Sequence, residues 1–528
     1  MTCSAITRAV SASRRQAQEG LGALLVLAVV LPQLCAQTLS IGPNVNINRQ
    51  SGYQAEEAIA IDPTNPNRML AWSNDLGNYN SAAFTVNGGT NWTSRFTGAD
   101  GWPALGGDPT CTFDSFGNLF AASFNSAFSK ILVRESNDAG QTFPTAVLTI
   151  SGSGLDQPTI KAGPGTSAGQ QAVWIIYRAS TSVIARGAAV TGPGAVGAFG
   201  ATLTIPGSSS GNFGDVTIGP NGRVAVAYQT PYSGIGPSTI KVAVNSSGST
   251  AGSFSLAAGT VATAVGGFRS IPAQPSRSVD AELGLAYDNF TGPHRGRLYL
   301  VYTDAPSTVS NDLNIFVRFS DDDGGTWSSA VRVNTDAGAQ SQFFSKLALD
   351  PTTGNLGVVW YDCRNSPANN RVELWGTVSV DGGLTFLPEV KISAGSTSGV
   401  GLGGGNELGD YLGLDFYNNI LYPVWADDSN STGDNPDGTA NLDYYGAAVT
   451  LVPAPGVPSL VVASAQQLDG VNVLTLTWTN NGSQVVLQSS GTLPGAWSTV
   501  SSPWSTNANW IVTTVTNSAP EQFYRLKH

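Results

Sequence analysis

The chain has 528 residues, including 62 Gly and 29 Pro, and only 12% of it is charged; this turn-rich composition fits a large all-β protein and argues against a helical one. A formal charge of −11 leaves no basic surplus to displace counterions from phosphates, which excludes a nucleic-acid binder. With His294 and His528 as the only histidines, a Ser-His-Asp triad and a multi-histidine metal site are excluded as well.

The first element is an export signal. Arg8, Arg14 and Arg15 precede an apolar run from Leu21 to Leu34, and Leu34-Cys-Ala36 places a small residue before a cut, so residues 1–36 are expected to be removed and the mature chain to begin at Gln37. Three Arg and Glu19 leave with that segment, taking the charge from −11 to −13. A lipid anchor on Cys35 is disfavoured by the bulky Leu34, and Arg14-Arg15 continues into Gln16-Ala17, unlike the usual twin-arginine signal. No other stretch is long enough to span a bilayer, so the protein is expected to be secreted, periplasmic or at the cell surface. Cys111 and Cys363 then remain, read as free, small buried hydrophobes.

From residue 38 to 452 a unit recurs: a short apolar strand ending in Asp or Gly, a turn, and a second apolar strand ending in an aromatic. Seven first strands are predicted, at 58–62, 110–114, 159–163, 215–219, 284–288, 346–350 and 411–415, with second strands ending near Trp72, Phe124, Tyr177, Tyr228, Tyr302, Trp360 and Trp425. The spacing suits four-stranded sheets arranged radially, a seven-bladed β-propeller with six blades as the alternative. The seventh copy lacks a fourth strand, and 38–50, with alternating Val45-Asn-Ile-Asn48, is expected to supply it and so remove the open edge.

A turn motif punctuates these units. The pattern S-x-D-x-G-x-T-[WF] is met by Ser136, Asp138, Gly140, Thr142 and Phe143, by Ser320, Asp322, Gly324, Thr326 and Trp327, and by Ser379, Asp381, Gly383, Thr385 and Phe386; Thr85 to Trp92 is a softened copy with Asn87 for the Asp. Its chemistry is structural: Ser and Asp oxygens satisfy turn amides, glycine permits the tight turn, and the aromatic wedges between sheets. The motif resembles the Asp-box, or BNR repeat, of the sialidase-like β-propellers, a resemblance that covers the propeller region alone.

Beyond it, residues 453–458 form a proline-rich linker, and 459–528 carry alternating strands at 474–478, 485–488, 510–513 and 523–526. This module looks like the small immunoglobulin or fibronectin type III β-sandwiches of secreted bacterial proteins. Trp497, Trp504 and Trp510 are read with Trp478 as packing residues, sugar stacking being the alternative.

Inner strands begin, and second strands end, on one rim of a propeller's channel, where side chains from several blades converge. Strand starts bring Glu56, Glu57, Asp108, Asp156, Gln157, Asp215, Asp280, Glu282, Lys346, Asp410 and Tyr411 there, and strand ends bring Asn74, Asp75, Asn125, Arg178, Asp304, Asp362, Arg364 and Asp427. The rim is acidic, although each of these residues taken singly also suits a strand-end cap. Three readings follow. The resemblance implies a sialidase, with Tyr411 and Glu407 as nucleophile pair, an Asp as acid/base and three arginines gripping a carboxylate; Arg178 and Arg364 are candidate grips, with Asp362, Asp410 and Glu56 as further substrate contacts. The family's first arginine motif is absent before Thr85, and Phe268-Arg-Ser-Ile-Pro272 lies between the fourth and fifth repeats. The second reading is a glycosidase using two carboxyls, such as Asp108 and Glu282. The third is a non-catalytic scaffold for glycan, protein or cell-surface polymer; under any of the three the protein is expected to be a monomer. An enzyme is expected to gather charges and aromatics at one rim, and a scaffold to spread them. No cofactor is required by any reading; calcium is a candidate at Asp427, Asp428, Asp434, Asp437 and Asp443, whose spacing differs from the helix-loop-helix site.

Overall fold

The computed structural model describes residues 37–453 apart from 77–78, 97–105 and 144–145, and outside that range the strands at 7–10 and 27–30 and most of the segments between 461 and 527. The chain divides into two units: residues 39–451, and residues 1–38 together with 452–528.

In the larger unit, six antiparallel sheets of four strands follow one another with strand order equal to sequence order. Their first strands are Gln54–Ile61, Thr110–Phe113, Asp156–Pro164, Asn212–Ile218, Gly284–Tyr287 and Gln342–Leu349. Neighbouring first strands touch around a closed circuit in which Gly413–Tyr417, the first strand of the seventh sheet, returns to Gln54–Ile61. The protein is therefore an all-β, seven-bladed propeller, and the six-bladed alternative falls. The seventh blade has Gly413–Tyr417, Ile420–Asp427 and Asp443–Gly446 as its first three strands and takes its outermost from the N-terminal side, Asn46 pairing opposite Tyr445 and Val45 opposite Gly446; Val449–Pro453, itself paired with Gln37–Ile41, joins the start of Ile420–Asp427 and makes the sheet six-stranded. Helical structure among the described residues is confined to the turns Pro220–Gly222 and Gly403–Gly405.

Large aromatics fill the wedges between blades. Trp72, Trp174, Trp360 and Trp425 are fully buried; Trp72 packs against Cys111 and Phe113 of the next blade, and Trp174 against Val216 and Val226 of its neighbour. Cys111 and Cys363 are buried and free. Around the channel, first strands are also tied by side chains: Thr110 and Thr112 accept from the amides of Ile160 and Ala162, and Asp215 accepts from Leu285 at 2.8 Å. Asp415 likewise accepts from the Ile61 amide at 2.7 Å. The repeat alignment placed Asp415 at the end of a strand 411–415, whereas the strand runs from Gly413 to Tyr417 and Asp415 lies in its middle.

On the face opposite the rim, the repeated turns are closed by their own side chains. Ser136 Oγ donates to Asp138 at 2.7 Å and accepts from the Gly140 amide at 2.9 Å, while the Thr142 amide donates to Asp138 at 2.8 Å. The same bonds recur from Ser320 to Thr326 and from Ser379 to Thr385. In the softened copy Asn87 takes the place of the Asp, accepting from the Asn91 amide at 3.0 Å.

The second unit contains a four-stranded sheet ordered Val461–Leu468, Val471–Thr479, Trp510–Asn517, Trp504–Thr506. Its other sheet runs Leu27–Val30, Thr7–Val10, Glu521–Lys527, Val486–Ser490, Ser498–Thr499, so two short strands from the stretch read as an export signal pair within this unit. Arg14, Arg15, Cys35, most of the proline-rich linker, Trp497 and His528 lie outside the described residues.

Candidate functional site: an acidic rim clamped by a hairpin

The rim is built from a repeated bulge. Where six of the seven first strands begin, a non-glycine residue adopts positive φ: Glu56 (65°), Asp108 (56°), Gln157 (40°), Phe213 (52°), Glu282 (34°) and Phe344 (50°). In four of these blades the ladder to the second strand shifts register at that point. A bulge bends the strand and re-aims one side chain, so residues that a regular strand would hold in line are delivered to the channel mouth. Left-handed backbone at a residue with a side chain costs about 1 kcal/mol or more, and six equivalent copies mark a built feature.

Over this rim lies an element that belongs to no blade. Between blades four and five, Arg269–Ile271 and Gln274–Val279 form a two-stranded hairpin. Arg277 Nε donates to Asp410 Oδ1 at 2.7 Å and its Nη2 donates to Asp410 Oδ2, forming a bidentate pair. Nη2 also reaches Glu56 Oε1 at 3.1 Å. The hairpin is held from below by Glu407, fully buried, whose carboxylate accepts from the amides of Ser276 and Arg277 at 3.1–3.2 Å. Gln274 completes the clamp, donating to the Gly409 carbonyl at 2.9 Å and accepting from the Leu408 amide at 2.8 Å.

Beside Arg277 opens a cavity of about 280 Å³, lined by Tyr53, Glu56, Asn74, Asp108, Phe128 and Asn406 among others. Asn74 links the two carboxyl residues, donating to Glu56 Oε2 while accepting from the Asp108 amide at 2.8 Å. Asp108 Oδ2 accepts from the Gln157 amide at 3.2 Å. A second group of acids lies toward the channel, where Glu282 stands 3.7 Å from Lys346 and its amide donates to Asp280.

Burial and mutual repulsion hold this cluster partly protonated. Desolvation pushes Asp108 up to about 7, with the Asp156 and Asp410 charges adding to it and the Gln157 amide and Arg277 opposing. Burial raises Glu56 well above the usual carboxylate range, reinforced by Asp410 and Asp108 and opposed by Arg277. Glu282 rises to about 7, mainly by burial, against the pull of Lys346. Asp280 and Glu57 are also driven well up by burial. Hydrogen bonds to the charged form oppose this upward push unequally: both Glu56 oxygens accept from N–H donors, Asn74 and Arg277, whereas Asp108 accepts the Gln157 amide on Oδ2.

The other sequence-derived candidates are placed differently. Tyr411 lies in the channel wall, its hydroxyl 3.5 Å from the Pro109 carbonyl and Lys346 6.0 Å from its ring, while the Glu407 carboxylate is committed to the hairpin; the two are not a hydrogen-bonded pair. Arg178 donates to the Tyr232 hydroxyl at 2.8 Å. Arg364 is bound to Asp362 at 2.6 Å and to Glu389, and stacks 3.9 Å above the Trp375 ring. Arg269, of the Phe268-Arg-Ser-Ile-Pro272 stretch, is buried and spent on the carbonyls of Ser307 and Ser310. The arginines do not converge with Arg277. Asp362 and Asp427 receive the indole N–H of Trp360 and Trp425, and Asp304 the Ala264 amide, as strand-end caps.

The carboxylates from Asp427 to Asp443 are likewise used one at a time. Asp443 takes the Asn46 amide, Asp437 the Gly52 amide, Asp434 pairs with Arg49 at 2.8 Å and Asp428 takes the Ser398 amide. Among the described residues no group of three or more His, Cys, Asp or Glu is arranged to hold a metal ion. Sequence reasoning missed Arg277, Tyr53, Asn406 and Phe128. The available signal for Arg277 was that residues 264–280 exceed what a blade-to-blade connection requires.

No protein-family model and no curated protein matches the chain. Solved structures similar to it include the GH93 alpha-L-arabinofuranosidase of Fusarium graminearum, at 12% identity over 64% of this chain and 98% of that one, with a TM-score of 0.38. Others are the Penicillium chrysogenum alpha-L-arabinanase (13%, 65% and 97%, 0.38) and the Aleuria aurantia lectin (13%, 65% and 98%, 0.39). Each is a likeness of fold at low identity, and the seven-bladed ring stands on its own sheet topology.

Proposed function

We propose that the rim cavity binds a neutral glycan and cleaves a glycosidic bond, with Asp108 as general acid and Glu56 as its ionised partner. The observation that supports this reading is the pair itself: two buried carboxyl groups joined through Asn74 at one cavity, Asp108 pushed up to about 7 and Glu56 bonded on both oxygens by Asn74 and Arg277. Asp108 gives its proton to the leaving oxygen as the glycosidic bond breaks, and Glu56 stabilises the positive charge developing on the sugar and takes a proton from the attacking water. A neutral sugar is favoured over an anionic one because Arg277 is already occupied by Asp410 and Glu56, and the remaining rim charges are mainly acidic. Export directed by residues 1–36 completes the reading.

The test is the mature protein incubated with a fluorogenic sialoside and a panel of neutral glycosides, beside Asp108→Asn and Glu56→Gln. Turnover of a neutral glycoside that disappears in both variants is expected. Turnover of the sialoside would restore the sialidase reading, and glycan binding without turnover of any substrate would leave a binding module.

A further inference from the structure

Six of the ten large hydrophobic side chains exposed among the described residues, namely Leu76, Phe128, Ile235, Phe268, Val309 and Val400, sit on loops of the rim face. Soluble proteins seldom gather exposed apolar side chains on one face without a use for them. The densest group is aromatic and lies two blades on from Asp108. Phe213, Tyr232 and Phe268 meet edge to face, with centroids 6.1–6.3 Å apart. Phe213 occupies the same bulge position in blade four that Glu56 and Asp108 occupy in blades one and two, and is therefore aimed at the rim.

The cluster is rigid, with Phe213 buried, Tyr232 half-buried and Phe268 open. The Phe268 amide donates to Gly234 at 3.0 Å and the Gly266 amide to Ile235 at 2.9 Å, locking the loop after blade four's last strand to the loop after its second. Gly267 allows that contact, since a Cβ there would fall 1.5 Å from the Tyr232 carbonyl oxygen. Phe268 is nevertheless 50% exposed. A fixed, half-exposed ring loses hydrophobic stabilisation in the free protein and regains it when a flat apolar surface covers it. A chain of bonds leads from the carboxyl pair toward the rings: the Gln157 amide binds Asp108, Asp156 accepts from Asn212 at 2.9 Å, and Arg178 donates to the Tyr232 hydroxyl at 2.8 Å and lies 4.5 Å over its ring.

We infer that Phe213, Tyr232 and Phe268 form a second sugar-binding subsite, so that the rim takes an extended neutral oligosaccharide and not a single terminal sugar. This rests on the glycan reading of the carboxyl pair. Sugar rings present C–H faces that cover aromatic rings while their hydroxyls reach the polar groups alongside, and here the half-buried Arg178 and Asp156 supply those partners. An anionic ligand would use the rings less well, because Asp156 and Asp108 lie alongside and the cation there, Arg178, is already bonded to Tyr232.

The experiment measures affinity of the full mature chain for arabino-, xylo-, cello- and malto-oligosaccharides from monosaccharide to hexasaccharide, by calorimetry, with turnover followed in parallel. Affinity is expected to rise with chain length for one series. Phe268→Ala should weaken the longest member on the order of tenfold and flatten the length dependence, and Phe268→Trp should restore it. Leu384→Ala, an exposed side chain on the opposite face, serves as the unaffected control. A Phe268→Ala protein with full length dependence, or a wild type whose affinity ignores length, overturns the subsite. If Phe268→Ala loses the dependence while Asp108→Asn keeps turnover, the subsite stands and the catalytic assignment falls. If no oligosaccharide binds, both fall together.

Discussion

Arg277 and Asp410 face each other across the mouth of the channel, Nε to Oδ1 at 2.7 Å, one from a hairpin outside the repeats and the other from the loop entering blade seven. This pair fixes the only guanidinium that, among the described residues, bonds to the Glu56 carboxylate. Burial lowers the Arg277 pKa, and the Asp410 and Glu56 charges outweigh it and raise the value overall, so Arg277 stays a cation at every working pH.

Replacing Arg277 by Gln removes the charge that opposes the upward push on both Glu56 and Asp108. Turnover of the best neutral glycoside is expected to fall roughly tenfold or more, with the alkaline limb of its pH profile moved upward. A loss of rate with an unmoved profile would mean that Arg277 acts only by holding the hairpin.

Stability should depend on pH with a definite sign. Asp108 and Glu282 have folded values of about 7, above their ordinary 3.8 and 4.5. The folded state thus binds protons more tightly than the unfolded one between about pH 4 and pH 7, and their contribution is lost as pH rises through that window. Melting temperature should fall from pH 5 to pH 8, and by less in Asp108→Asn. Because Asp138, Asp322 and Asp381 are shifted the opposite way, their contribution fades only as pH falls through the ordinary carboxylate range.

Asp322→Ala and Asp381→Ala should each cost on the order of 1 kcal/mol, since each removes the acceptor of a turn amide and of a Thr hydroxyl. Chemical denaturation would measure the loss. Glycan affinity at a temperature well below melting should not change, because these turns lie on the face opposite the rim.

Deleting residues 37–48 strips two strands from the seventh sheet, the outermost one at Tyr445 and Gly446 and the one paired with Val449–Pro453, and exposes both edges. The expected result is a lower melting temperature with aggregation visible by light scattering, as an unpaired edge recruits other chains. An unchanged melting temperature would show that the ring closes without those strands.

The number of blades, their order and the closing strand were legible in the chain because they are written as local patterns: a period of two in apolar residues, an aromatic at each second-strand end, and a turn motif whose side chains bond within eight residues. Asp108, Glu56 and Asp410 could be placed on one rim by the same logic, since strand starts share a face. Their partnership could not be placed. Whether Glu56 meets Arg277 or Arg178 depends on contacts more than a hundred residues apart, and a hairpin outside the repeats has no register from which to predict them. The Tyr411 and Glu407 pairing shows the same boundary from the other side: four residues apart in sequence, they separate because Glu407 turns to cap the hairpin's amides. Local chemistry determined the scaffold. Which acids are pushed up, and which cation opposes the push, was decided by the folded ring, through burial and the proximity of like charges.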